Sequence, residues 1–211
     1  MINPELEKYA EEHSSKESDL LYRLNRETHI KVMLPRMLSG AMQGKLLEML
    51  SLMIKPKCIL EIGTYTGYSA ICLAKGLPTD GVLHTIEKNP ELESIAKKYF
   101  AEAEIEHQVN YHLGNALDII PQIDEVFDLV FLDADKENYL NYYHLVFDKI
   151  HPGGYILADN VFWSGKVLTT PDSHDKEAIG IIEFNEFVQQ DERVENVMLP
   201  LRDGLSLIRK K

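Results

Sequence analysis

Cysteine is nearly absent from these 211 residues: only Cys58 and Cys72 occur. Both sit inside apolar segments, "KCILEIG" and "SAICLAK", where cysteine behaves as a small buried hydrophobe. Reduced thiols are therefore expected, and a disulfide framework is excluded. The eight histidines are scattered, and no Cys/His spacing matches a zinc site. No apolar run approaches the roughly 20 residues that a membrane helix needs. The first stretch, "MINPELEKYAEEHSSKESD", is polar and acidic, unlike a signal or transit peptide, so a cytoplasmic location is expected. Basic residues are in the minority, 22 Lys plus Arg against 34 Asp plus Glu, for a formal net charge of -12. Such a surface repels phosphate backbones, which disfavours general nucleic-acid binding and favours small molecules or a metal ion as partners. Repeats and linker-like Pro/Gly/Ser runs are missing too, so a single domain over 1–211 is expected.

What is present is a core-forming composition, 45% hydrophobic, with two rhythms along the chain. Residues 1–55 read as a helical extension. "PELEKYAEEH" opens on Pro4 in a favourable first-turn position, "KESDLLYRLNRETHIKV" follows, and "QGKLLEMLSLMIK" has apolar residues at helical spacing up to Pro56. From 56 to 211, short apolar strands alternate with helices. The strands are "KCILEIG", "GVLHTIE", "VNYHLG", "FDLVFLD" and "GGYILAD". The helices are "YSAICLAKGL", "PELESIAKKYFAEA", "NALDIIPQI", "NYLNYYHLVFDKI" and "DKEAIGIIEFNEFVQQ". This alternation predicts an α/β fold, a Rossmann-like doubly wound and mostly parallel sheet buried on both faces. "RVENVMLPL" and "LSLIRK", separated by "RDG", predict an antiparallel C-terminal hairpin as strands six and seven.

Ligands of such sheets bind outside the carboxyl ends of the strands. Strand one ends in "EIGTYTG", where Gly63 and Gly67 permit close backbone approach. Glu87, ending strand two, lies where a carboxylate would grip ribose hydroxyls. "GTYTG" lacks the middle glycine of G-x-G-x-x-G, so a nucleoside ligand without a pyrophosphate, S-adenosylmethionine being the common one, fits better than a dinucleotide. Strand three ends in Gly114-Asn115-Ala116. Asp133, Asp159 and Asn160 offer oxygen ligands from the ends of strands four and five, the donor set of Mg²⁺, Ca²⁺ or Mn²⁺; the same residues could equally cap loops and helices. Lys136 opens the fourth helix, where the dipole disfavours a cation. A desolvated lysine, or one beside another cation, can serve as a base. Asp135 has no forced role and could orient it.

These motifs are similar to those of the cation-dependent O-methyltransferases, the group of catechol and caffeoyl-coenzyme A O-methyltransferases and their small bacterial relatives. The resemblance rests on "LEIGTYTGYSAICLA", "GNALDIIP", "FDLVFLDADKENYLNYY", "IHPGGYILADNVFWSGKV" and "LPLRDGLSLIRKK", in order from about Arg36 to the C-terminus. It implies an S-adenosyl-L-methionine-dependent enzyme with Mg²⁺, or Mn²⁺ or Ca²⁺, held by Asp133, Asp159 and Asn160. It implies that Lys136 is the catalytic base and that Asp133 touches both metal and cofactor. Glu61, Gly63, Thr64, Tyr65 and Ser69 would surround the methionine part, Glu87 the ribose, Ala116 the adenine, and Ser39 would cover the cofactor. Relatives often carry an acidic residue near Met42 and "GQ" in place of Gly44-Lys45, so this chain departs from the pattern beside Ser39.

The implied reaction moves a methyl group to one of two vicinal hydroxyls of a small aromatic acceptor, with Trp163 a candidate for stacking on it. The rival substrate is a tRNA wobble 5-hydroxyuridine, for which Arg23, Arg26, Lys31 and Arg36 could supply phosphate contacts. A non-catalytic nucleotide-binding protein or an NAD-dependent oxidoreductase is disfavoured, the first by the set Asp133, Lys136, Asp159 and Asn160, the second by the glycine pattern. A homodimer formed partly through the N-terminal helices is expected from the resemblance.

Overall fold

The computed structural model describes residues 4–211. Helices α1 (Pro4–Glu12), α2 (Asp19–Lys31) and α3 (Gly40–Ile54) precede the first strand. Ser18 starts α2 by accepting the amide of Leu21 through its side chain. Five strands follow, β1 (Cys58–Ile62), β2 (Val82–Glu87), β3 (Val109–Leu113), β4 (Phe127–Leu132) and β5 (Ile150–Asp159). Between and after them lie α4 (Tyr68–Ala74), α5 (Glu93–Glu102), α6 (Ala116–Ile119), α7 (Tyr139–Phe147) and α8 (Lys176–Gln190). Strands β6 (Val194–Leu199) and β7 (Leu205–Lys210) complete one sheet of order β3-β2-β1-β4-β5-β7-β6. The first five strands pair in parallel; β7 is antiparallel to both β5 and β6.

The side-chain alternation of each strand feeds two cores. Ile59, Leu83, Leu129, Phe131 and Leu157 pack with α2, α3, α4 and α5 on one face. Leu60, Ile86, Val130, Leu132 and Ile156 pack with α6, α7 and α8 on the other. Neighbours such as Leu129 and Val130 thus serve opposite layers, which is why parallel strands read as unbroken apolar runs. The edge strand β3 departs from that pattern, with Asn110 and Leu113 exposed, because nothing pairs on its outer side.

Several boundaries differ from the sequence reading, each for a local reason. The helix expected over "NALDIIPQI" is broken: α6 gives way to a 3-10 turn over Ile120–Gln122, as Pro121 lacks an amide proton to continue it. The helix expected from Pro90 opens with a 3-10 turn, Pro90–Leu92, capped by the side chain of Asn89. Strand β6 stops at Leu199, since Pro200 has no N–H for the ladder, and the hairpin turn spans 200–204 rather than "RDG" alone. No helix among the described residues is long and apolar enough to cross a membrane.

Candidate functional site

Parallel order brings the carboxyl ends of β1, β2, β4 and β5 side by side, with β1 central. The chain leaves β1 through a turn in which Gly63, Tyr65 and Gly67 all have positive φ (103°, 51° and 89°). At Gly63 this is obligatory twice over. A Cβ there would lie 2.0 Å from the backbone oxygen of Asp133, so the ends of β1 and β4 touch with no space for a methyl group. The amides of Gly63 and Thr64 both donate to the Ile86 carbonyl, at 3.0 and 3.2 Å, which ties the turn to β2 as well.

Glu61 is fully buried beneath this turn. Its Oε2 accepts the Thr85 hydroxyl, and the nearby Ser69 hydroxyl also favours the charged form. Its Oε1 has no partner among the described residues. Burial pushes the Glu61 carboxyl up to about 8, against the pull of those two hydroxyls. A buried carboxylate oxygen without a donor is a rare feature of a folded protein and fits a site completed by a donor-bearing or cationic ligand. The amino end of a methionine-type cofactor is such a group, so the residues present fit the cofactor that the motifs imply.

Glu87 is bound differently. Its Oε2 accepts the Tyr65 amide at 2.8 Å and its Oε1 the Asn89 amide at 2.9 Å, so it braces two loops while remaining at the strand end. Ser39, Gly63, Thr64, Tyr65, Ser69 and Asp133 line one cavity of about 10 Å³, room for roughly one water. Its roof is the segment before α3, held by hydrogen bonds from the Tyr65 hydroxyl to the Met33 and Leu34 carbonyls. Of the sequence-nominated cofactor residues, Glu61, Glu87 and Ala116 lie outside that lining. Ala116 is buried at the start of α6, which Asn115 caps by accepting the Leu117 amide.

At the end of β4, Lys136 is 4% exposed, in a 3-10 turn that precedes α7. Its Nζ donates to Asp133 Oδ1 at 2.9 Å and to the Tyr139 hydroxyl at 2.8 Å. Tyr139 in turn reaches the carbonyls of Leu132 and Asp159, both at 3.0 Å, and so knots the ends of β4 and β5 together under the lysine. The Trp163 ring centroid is 5.9 Å from Lys136 Nζ. Of the options the sequence left for Asp135, orienting Lys136 is not the one taken: its carboxylate accepts from Asn138 and from the Tyr142 hydroxyl, one turn further along. The i to i+3 spacing of Lys136 and Tyr139 is a helical signal the sequence reading passed over.

Asp159 is buried at the end of β5. Its Oδ1 accepts the Asn160 amide at 2.8 Å, and its Oδ2 accepts Gln43 Nε2 at 2.6 Å. Burial and the neighbouring Asp133 charge hold the Asp159 carboxyl above its usual range, while Gln43, Lys136 and Arg202 oppose them. Asn160 has φ 59°, a left-handed conformation uncommon outside glycine. No group of three His, Cys, Asp or Glu that could hold a metal occurs among the described residues. The nominated set is two carboxylates and an amide. Crowded acidic oxygens of this kind fit a hard divalent cation, which would relieve the repulsion that raises Asp159. The basic cluster suggested for tRNA is partly spent internally: Arg23 pairs with Glu102 and Lys31 with Glu27, both at 2.8 Å.

Residues 11–211 match a family model described as O-methyltransferase. Caffeoyl-CoA O-methyltransferase 5 of Nicotiana tabacum is 34% identical over 185 residues, covering 82% of this chain and 77% of the relative. The O-methyltransferase TomG of Streptomyces achromogenes, solved in complex with SAM, matches with a TM-score of 0.91 and 34% identity, covering 98% of this chain and 96% of that one. An O-methyltransferase from Bacillus cereus, solved in complex with SAH, matches with a TM-score of 0.90 and 30% identity, covering 98% and 97%. With the strand order and the strand-end residues described above, these likenesses mean that this chain belongs to the O-methyltransferase family.

Proposed function

We propose that this O-methyltransferase takes its methyl group from S-adenosylmethionine and, with a divalent cation, delivers it to one of two vicinal hydroxyls of a small aromatic acceptor. The observation that carries the reading is Lys136 Nζ, buried and hydrogen-bonded to Asp133 beside Asp159, where a base and oxygen ligands meet at one strand end. Support for the cofactor comes from the partnerless Glu61 Oε1 and from the SAM and SAH complexes of the two related structures.

Glu61, Ser69 and the β1 turn would hold the amino-acid end of the cofactor, and Glu87 the ribose. Asp133, Asp159 and Asn160 would hold the cation. When bound, such a cation polarises an acceptor oxygen as a Lewis acid and gives two adjacent oxygens a common template. Lys136 would take the acceptor hydroxyl proton at Nζ, with Tyr139 and Asp133 fixing that nitrogen. Trp163, beside the lysine, would form one wall for the aromatic ring. The closely packed strand ends would orient the two reactants, and such positioning supplies much of the acceleration in a group transfer. We also read the protein as a homodimer, since Met49, Leu52 and Met53 of α3 are exposed apolar side chains; a monomer mass in light scattering would overturn this.

The test is release of S-adenosylhomocysteine with caffeate as acceptor, in Mg²⁺ and in excess EDTA. Turnover in Mg²⁺ that EDTA abolishes is expected. Turnover indifferent to EDTA would remove the cation from the reaction. Absence of turnover from cofactor-binding protein would discard the vicinal-hydroxyl acceptor, and tRNA carrying 5-hydroxyuridine would be assayed next.

A further inference from the structure

Gln43 and Arg202 belong to no strand end and were not nominated by the sequence, yet they reach the centre of the site from opposite ends of the chain. Gln43 lies on α3 and is 1% exposed. Its Nε2 donates to Asp159 Oδ2 at 2.6 Å, and its Oε1 accepts Arg202 Nη1 at 2.8 Å. Arg202 lies in the turn between β6 and β7. Its Nη1 also donates to the Ser39 carbonyl, and its Nη2 to the Leu38 carbonyl at 3.1 Å. Leu38 and Ser39 both line the small cavity beside Gly63.

The electrostatics of this chain run in one direction. A guanidinium faces the amide oxygen and a carboxylate faces the amide nitrogen, so the glutamine dipole is aligned at both ends. The reversed amide would set Oε1 against the Asp159 carboxylate and NH₂ against the guanidinium, two repulsive contacts in a buried place. Arg202 therefore decides which way Gln43 points, and Gln43 decides where Asp159 Oδ2 points. A neutral relay does this without adding charge next to Asp159, which leaves the carboxylate free to attract a cation through its other lone pairs.

Arg202 is itself held firmly. Its backbone has φ 48°, and the turn packs so closely that a Cβ at Gly204 would meet the Phe162 ring at 2.7 Å. Phe162 and Ser164 donate their amides to the Asp203 backbone and side-chain oxygens, at 2.9 and 2.7 Å. One turn thus grips the loop that follows Asn160 on one side and the segment that roofs the cofactor cavity on the other.

We propose that Gln43 and Arg202 are positioning residues: Gln43 fixes the Asp159 carboxylate for a divalent cation, and Arg202 both orients Gln43 and latches the Leu38–Ser39 segment over the cofactor. This rests on the reading of Asp159 as a cation ligand. The two residues differ in what they reach, and that difference is measurable without turnover.

Mn²⁺ binding, followed by the loss of the free-ion electron paramagnetic resonance signal, is compared with S-adenosylhomocysteine binding by calorimetry. Gln43→Met, a near-isosteric change, is expected to weaken Mn²⁺ by roughly 10-fold, the usual cost of losing a hydrogen bond that orients a metal ligand, with cofactor affinity unchanged. Arg202→Met is expected to weaken both ligands, and Arg202→Lys to recover part of each. The double variant should bind Mn²⁺ no worse than Gln43→Met alone, since a relay once cut cannot be cut again. Asp159→Asn is the reference. If Asp159→Asn loses Mn²⁺ while Gln43→Met binds it as the parent does, the relay is wrong and the cation reading stands. If the parent protein binds no Mn²⁺, both fall. Additive losses in the double variant, or an Arg202→Met protein with parental cofactor affinity, would overturn the coupling assigned to Arg202.

Discussion

At the end of β1, Glu61 is buried among the neutral hydroxyls of Thr85 and Ser69 with one oxygen left over, whereas at the ends of β4 and β5 the Asp133 carboxylate pairs with Lys136 and the Asp159 carboxylate accepts from Asn160 and Gln43. Both regions bury acid, but they offset the desolvation differently. The β1 end is incomplete by one donor and so is built to be finished by a ligand. The β4–β5 end is already cross-tied by a lysine, a tyrosine and a glutamine, which suits groups that must stay fixed while a proton moves past them. On the proposed reading, cofactor binding would lean on the first region and proton transfer on the second, with Asp133 lining the cavity they share.

The sharpest way to break this comparison is Lys136→Ala. Turnover should fall about 10²- to 10⁴-fold, the usual span for a positioned base, with S-adenosylhomocysteine affinity in calorimetry unchanged. An equal loss in both would merge the two regions. Next in size, Glu61→Gln should lower cofactor affinity by roughly 10- to 100-fold, the worth of a hydrogen bond to a charged group, and leave Mn²⁺ binding intact. Tyr139→Phe should cost about 10-fold in turnover, because Lys136 loses one of its two anchors. It should also cost about 1–3 kcal/mol in urea unfolding, because the lysine and two strand-end carbonyls lose a partner.

The smallest effect is a pH slope. Glu61 has a folded-state value of about 8 against 4.5 for the ordinary carboxyl, so the native state retains a proton that the unfolded chain has released. Stability from this group is therefore fully present at low pH and is lost as pH rises from about 4.5 to about 8. Urea unfolding without cofactor should show Glu61→Gln gaining on the parent protein as pH increases from about 5 to about 8. A difference that shrinks over that range would mean Glu61 is better solvated than its burial implies.

Much of the architecture was legible because the physical signals are local. Continuous apolar strands, helix periodicity and Pro or Gly punctuation gave the alternation, and the rule that parallel sheets bind ligands at their carboxyl ends pointed to the candidate site. Boundaries slipped where one residue changed the hydrogen bonding, at Pro121 and Pro200. In the candidate site, Asp133 and Lys136 were nominated from their places at the end of the fourth strand and the start of the next helix, and the fold sets them 2.9 Å apart. Gln43 and Arg202 were not: they are 159 positions apart, and each is an ordinary polar residue until folding brings them together. Asp135 misled for the converse reason. Adjacency in sequence left it able to orient Lys136, but the turn aims its carboxylate at Tyr142 instead.

The contact between Gly63 and the Asp133 carbonyl has a consequence for how the enzyme can vary. Donor and acceptor of a group transfer must be aligned to a fraction of an ångström, and the strand ends that would carry them in the proposed reaction meet with no space for one added carbon atom. A shim at this joint would push the two halves out of true together. Loops at the rim are free to diversify, while the joint between the strands admits no play.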